Sequence, residues 1–167
     1  MQTRRALSPN CYIDIDTAQQ TLTLWQGAQQ KARYLISSAW LGTGQLKGSN
    51  QTPLGRHIVR AKIGDGEPIN RVFVARRPTG EIYSSDLAEA QPKRDWILTR
   101  ILWLSGCERG VNRLGQVDTM QRYIYIHGTP DSEPMGQPLS HGCIRMRNAE
   151  LIELFDLVVP GIEVNIF

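Results

Sequence analysis

Short apolar runs that alternate with polar residues and stop at turn signals within a few positions recur along the chain. A strand turns successive side chains to opposite faces, so each such run offers one face for burial. Tyr12-Ile13-Asp14-Ile15-Asp16 and Thr21-Leu22-Thr23-Leu24-Trp25 follow this rule and are joined through 17–20. Arg33 to Ser38 reads as a third strand, closed by the Gly42-Thr43-Gly44 loop. Thr52-Pro53-Leu54-Gly55 is a turn, His57 to Lys62 a strand, and Gly64-Asp65-Gly66 a turn before the strand Arg71 to Ala75. The stretches 64–70 and 81–94 carry no motif and read as loops. Ile97 to Leu104 suits either a strand or a buried helix by periodicity; its Ile and Trp residues and the nearby Gly106 favour strand. Leu114 to Thr119 reads as a loop.

Two later segments complete the pattern. Arg122 to His127 predicts a strand with Ile124 and Ile126 on one face and Tyr123, Tyr125 and His127 on the other. The chain from Gly128 to Pro138, with its prolines and glycines, is a long loop of the functional kind. Asn148 is placed to cap a helix whose apolar stripe is Leu151, Ile152, Leu154, Phe155 and Val158; Pro160-Gly161 ends it, and Ile162, Val164 and Ile166 alternate as a closing strand. The prediction is a mainly β domain with one short C-terminal helix.

Length and composition narrow the function classes. At 167 residues, the chain fits one domain over 1–167, with 1–10 a loose N-terminal extension. A hydrophobic share of 41% suffices for a core. The net charge of +3 (19 Lys and Arg against 16 Asp and Glu) is scattered, and no nucleic-acid partner is expected. The residues after Arg4 and Arg5 contain no apolar run suited to a signal peptide, and no stretch suits a bilayer span. If Met1 is the natural start, the expected location is cytoplasmic, away from a membrane, with thiols kept reduced. Cys11, Cys107 and Cys143 match no disulfide or paired zinc pattern, and at least one should be a free thiol.

The densest chemical signal is Ser140-His141-Gly142-Cys143-Ile144-Arg145, with Cys143 sixteen positions after His127. A thiol acts as an acyl acceptor when a base removes its proton and donors hold the developing oxyanion. His127, at a strand end before a returning loop, is a candidate base. Gly142 leaves the N–H groups of Gly142 and Cys143 open to a carbonyl, in a tight turn before the helix. Arg145 suits bidentate recognition of a carboxylate. The plainer alternatives stand beside this: a lone Cys is most often a small buried hydrophobe, and His141 reads as structural or orienting. Metal binding by His127, His141 and Cys143 is the competing chemistry, but a fourth ligand and the usual spacings are missing. No metal or cofactor is expected. Cys11 and Cys107 read as bystanders, and His57 as exposed and non-catalytic.

Together with Ile126-His127-Gly128-Thr129, Thr52-Pro53-Leu54-Gly55 and the opening strands from Tyr12 to Gly44, this motif resembles the signature of the L,D-transpeptidase catalytic (YkuD) family over about residues 11–167. The resemblance implies a β-sandwich with a short helix, Cys143 as nucleophile and His127 as base. It also implies that the Gly128 carbonyl orients the base, and that Ser140, His141, Gly142 and Arg145 lie around the substrate, with the backbone of 141–143 as oxyanion hole. The implied substrate is a peptidoglycan tetrapeptide or muropeptide, cut between the L-centre of diaminopimelate and D-alanine through a thioester. Carbapenem-type β-lactams are implied covalent inhibitors. The missing export signal favours water as acceptor, hence an L,D-carboxypeptidase of murein recycling. A crosslinking L,D-transpeptidase and an inactive fragment-binding domain are the alternatives.

Overall fold

The computed structural model describes residues 10–167, so the expected extension lies outside the described residues apart from Asn10. The strands β1 (Cys11–Asp16), β2 (Thr21–Gln26) and β3 (Gln29–Leu35) form the meander legible in the sequence. The third strand runs earlier than predicted. It ends at Leu35, and Ser37 and Ala39 instead bridge to Arg145 and Ser140. Then come β4 (Gly55–Ile63), the hairpin of β5 (Arg71–Val74) and β6 (Arg77–Ile82), helix α1 (Ser85–Ala90), and β7 (Leu98–Gly106), the ambiguous segment resolved as strand. The chain ends with β8 (Tyr125–Gly128), β9 (Ile144–Met146), α2 (Asn148–Leu157) and β10 (Glu163–Ile166).

The strands join in the order β3-β2-β1-β10-β4-β7-β5-β6, with β8 added to β7 and β9 to β8. All ten strands therefore belong to one hydrogen-bonded sheet. Its inner faces and α2 share a core that includes Ile13, Leu24, Val59, Leu102, Ile126, Ile144, Phe155 and Val164. Fully burying side chains of this size contributes about 1.5–3 kcal/mol each. The closing strand lies parallel to β1, pairing Tyr12 with Glu163 and Ile15 with Ile166, and antiparallel to β4.

Several boundaries depart from the sequence reading for identifiable reasons. β6 and α1 occupy part of what reads as loop; α1 is capped by Ser84, whose hydroxyl accepts from Leu87 N, and it packs near Val72, Trp96 and Leu98. The strand predicted from Arg122 begins only at Tyr125, because Tyr123 sits at φ 56°, outside the extended region. The alternation still holds: Ile124 and Ile126 enter the core, while Tyr125 and His127 face the other way. The short strand β9 follows Cys143, where the sequence suggested a turn leading straight to the helix. Helix α2 is capped from Arg147 with no side-chain bond. Asn148 turns inward, its Nδ2 donating to Thr129 O (2.8 Å) and Asn70 Oδ1 (3.1 Å) and its Oδ1 accepting from Thr99 Oγ1 (2.6 Å).

His57 is fully buried, contrary to expectation, with Nδ1 on Gly55 O (3.0 Å) and Nε2 on Thr119 Oγ1 (2.9 Å). Its place near the start of β4, paired with Val164 of β10 on one side and Gly106 of β7 on the other, explains the burial. Desolvation lowers its pKa from 6.5 to about 4, outweighing the Gly55 carbonyl that favours the cation. A depressed histidine contributes stability above its unfolded value of 6.5 and loses it as pH falls toward about 4. Thermal midpoints measured from pH 7 to pH 4 should show a loss of order 3 kcal/mol. His57→Gln should be less stable at neutral pH but shallower in its acid dependence; an unchanged profile in the variant would assign the loss elsewhere.

Candidate active site

The parallel pair β8 and β9 brings the two halves of the sequence motif together. Ile126 pairs with Ile144, His127 with Arg145 and Gly128 with Met146. With Ile126, Ile144 and Met146 in the core, Tyr125, His127, Cys143 and Arg145 border one cleft of about 410 Å³. Asp95, Arg76, Arg122, Tyr123 and His141 are also among its lining residues. Such a volume suits the reacting end of a small ligand.

The imidazole of His127 is buried, and its Nδ1 lies 2.7 Å from Gly128 O. A carbonyl only accepts, so Nδ1 carries the proton and Nε2 keeps its lone pair. Burial lowers the pKa of this ring and keeps it neutral. The Gly128 carbonyl and Asp95 oppose that shift, while Arg145 adds to it. Gly128 is required where it stands: a Cβ there would strike Asn148 Oδ1 and approach Leu98 O to 2.6 Å. The buried amide of Asn148 therefore braces the carbonyl strand that carries the histidine. Thr99, which donates to Asn148, sits at φ 76° in a bulge of β7, a conformation that costs a β-branched residue of order 1–3 kcal/mol.

Cys143 is half-buried. Its Sγ accepts from Tyr125 N (3.3 Å) and donates to Tyr123 O (3.4 Å). Burial pushes the thiol up to about 12, and Asp95 acts in the same direction. The Tyr125 amide, Arg145 and Arg122 pull it down by less. The resting group is a thiol that shares its cleft with a neutral imidazole.

The turn before the thiol is held by side-chain bonds. Ser140, itself buried, accepts from Gly142 N (3.2 Å) and donates to Cys143 O (2.5 Å). The Gly142 N–H expected to face a substrate carbonyl is thus engaged within the turn, and Ser140 braces that turn. Thr52 explains the upstream motif: its hydroxyl donates to Gly142 O (2.9 Å) and accepts from Ala39 N (3.0 Å). Gly142 lies at φ 128°, and a Cβ there would come within 3.3 Å of Ile124 Cδ1.

The charged residues divide unevenly. Arg145 meets Asp95 at 3.2 Å, and the exposed His141 approaches the other Asp95 oxygen at 3.6 Å. The carboxylate that Arg145 meets in the structure is thus the chain's own. Arg122 donates to Gly44 O, Gln45 O, Gln51 O and Ser49 Oγ, tying the 42–52 loop beside the cleft. Asp95, Arg76 and Arg122 had no signal in the sequence; Tyr125 was visible as the residue two before His127 on the same face. Cys11 and Cys107 are free and lie outside the cleft lining. No cluster of three or more potential metal-ligating His, Cys, Asp or Glu occurs among the described residues.

Comparison with known proteins gives a consistent family. The family model described as the L,D-transpeptidase catalytic domain (YkuD) matches residues 10–166. A putative L,D-transpeptidase YkuD of Bacillus licheniformis is 39% identical over 46 residues, 28% of each chain. A putative L,D-transpeptidase YqjB of Bacillus subtilis is 44% identical over 45 residues, 27% of this chain and 26% of the other. These alignments span little more than a quarter of the relatives' length. Among solved structures, L,D-transpeptidase 3 from Mycobacterium tuberculosis with a faropenem-derived adduct shares the fold at TM-score 0.59 and 15% identity, covering 95% of this chain and 60% of that one. An L,D-transpeptidase from Xylanimonas cellulosilytica does so at TM-score 0.54 and 22% identity, covering 99% and 63%.

A thiol raised this far loses about tenfold in thiolate per pH unit below its pKa. Alkylation of Cys143 by iodoacetamide, followed by peptide mass spectrometry, should keep rising to about pH 10. A plateau near neutrality would reveal a preformed thiolate–imidazolium pair.

Proposed function

The chain belongs to the L,D-transpeptidase catalytic domain family, and on that premise we propose that it cleaves the bond between the L-centre of diaminopimelate and D-alanine in peptidoglycan stem tetrapeptides, with Cys143 as nucleophile. The observation that carries this reading is the shared cleft of a half-buried thiol and a neutral histidine whose Nδ1 proton is committed to Gly128 O. The lone pair of Nε2 is left to act as base.

In the proposed cycle, His127 Nε2 accepts the proton of Cys143 Sγ as the sulfur attacks the scissile carbonyl carbon. The tetrahedral intermediate collapses by breaking the C–N bond, and the departing D-alanine nitrogen takes the proton from His127. A thioester on Cys143 remains. Water then attacks it, giving its proton to His127, which returns it to sulfur as the tripeptide acid leaves. Every proton moves between the substrate, water and these two side chains. The neutral resting pair avoids an isolated charge in a desolvated site, and the charge develops as the carbonyl arrives.

Water is the proposed acceptor because the cleft at Cys143, about 410 Å³, suits the reacting end of one stem and hydrolysis needs no second stem bound. This reading makes the protein an L,D-carboxypeptidase acting on soluble fragments of the kind that murein recycling supplies. The names of its relatives, putative L,D-transpeptidases, favour the other fate, transfer to an amine of a second stem.

Incubation with tetrapeptide and product mass spectrometry separates these outcomes. Tripeptide and D-alanine in equal amounts support hydrolysis, crosslinked dimers without tripeptide support transfer, and unchanged substrate leaves a binding domain. Cys143→Ala should abolish turnover, and His127→Ala should slow acylation by about 10²- to 10⁴-fold. One solved relative is in complex with imipenem; a carbapenem should likewise add its mass to the Cys143 peptide here, and an intact protein mass after prolonged incubation would count against an acylable thiol.

A further inference from the structure

Three arginines border the cleft, and the structure commits two of them. Arg145 is paired with Asp95, and Arg122 spends its donors on loop carbonyls and Ser49. Arg76 is different. It packs against Trp103, its guanidinium carbon 4.8 Å from the ring centroid, and against Tyr123 at 4.6 Å. Its Nη1 donates to Tyr125 Oη at 2.9 Å. Among the described residues it meets no carboxylate within ion-pair distance, and most of its five N–H donors remain for a ligand.

The backbone offers an independent pointer. Val74 pairs with Arg77, so Ala75 and Arg76 form the two-residue loop of the β5–β6 hairpin. Both lie in the left-handed region, at φ 48° and 63°. Such loops favour Asn-Gly, and an Ala-Arg pair there is strained. The strained loop delivers a cation to the rim of the cleft and holds it against two rings, so little side-chain freedom is left to lose on binding.

Tyr125 links this cation to the thiol. Its main-chain N–H meets Cys143 Sγ, and its hydroxyl meets Arg76. In a peptide cut at its last bond, the terminal carboxylate lies one residue beyond the attacked carbonyl. We propose that Arg76 is the anchor for that free C-terminal carboxylate, so that the site selects peptides ending at the residue to be removed. The inference rests on the cleavage reading above and specifies the end group that such a substrate must carry. A planar guanidinium with vacant donors matches a carboxylate and gains little from a neutral amide.

The test changes the ligand before it changes the protein. Cys143→Ala is titrated calorimetrically with the tetrapeptide and with its C-terminal carboxamide. The acid should bind about 10- to 100-fold tighter. In Cys143→Ala/Arg76→Gln that preference should vanish, with the amide bound as before, and Arg76→Lys should restore part of it. Equal binding of acid and amide by Cys143→Ala, or a preference that survives Arg76→Gln in a protein with unchanged circular dichroism, would overturn the anchor. Turnover by the unmutated protein is scored separately. Cleavage of acid and amide at equal rates and affinities would remove the anchor and leave the cleavage reading standing. Discrimination in binding without any cleavage would do the reverse.

Discussion

Everything at the site depends on the two-residue alternation of β8 and β9. Burying Ile126 and Ile144 in the common core forces Tyr125, His127, Cys143 and Arg145 to the opposite side of the same two strands. The parallel register then sets His127 beside Arg145 and the thiol one position earlier. A slip of one residue would exchange core and cleft, so the hydrophobic pattern that folds the protein also fixes the order of its polar groups. Parallel neighbours require a crossover, and the long loop after Gly128 supplies it.

Around those strands, buried polar groups are satisfied by one another. Asn148 links Thr99, Asn70 and Thr129 behind Gly128, while Ser140 and Thr52 hold the carbonyls of Cys143 and Gly142. An unpaired buried amide or hydroxyl costs about 1–3 kcal/mol, so each of these residues has little freedom to turn elsewhere. The cost of a positive φ at Thr99 and the close approach at Gly128 are accepted within this same region. Hydrogen bonds as well as packing thus hold the backbone at the site.

Burial also governs the electrostatics. Two arginines face Cys143, yet desolvation outweighs them and keeps the thiol protonated, partly because Asp95 counters Arg145. The histidine is held neutral by the same cause. The arginine charges of the cleft are therefore held by the protein itself: Arg145 by Asp95, Arg122 by the carbonyls of the neighbouring loop, and Arg76 by its aromatic neighbours.

Periodicity let the sequence foretell the mainly β class and the C-terminal helix, and its resemblance to a known family linked Ser-His-Gly-Cys with an upstream His-Gly. It also placed Tyr125 and His127 on one face, by alternation alone. It could not place Asp95, Arg76 or Arg122, which reach the cleft from a loop, a hairpin tip and the turn before β8. It misjudged His57 and Asn148 because local pattern does not say what will pack above a strand or behind a helix end. Only the folded contacts settle which arginine meets a carboxylate, which N–H groups are already engaged, and that burial disfavours charge at Cys143 and His127. Those depend on contacts between residues far apart in sequence and on the exclusion of water, neither of which is written in local spacing.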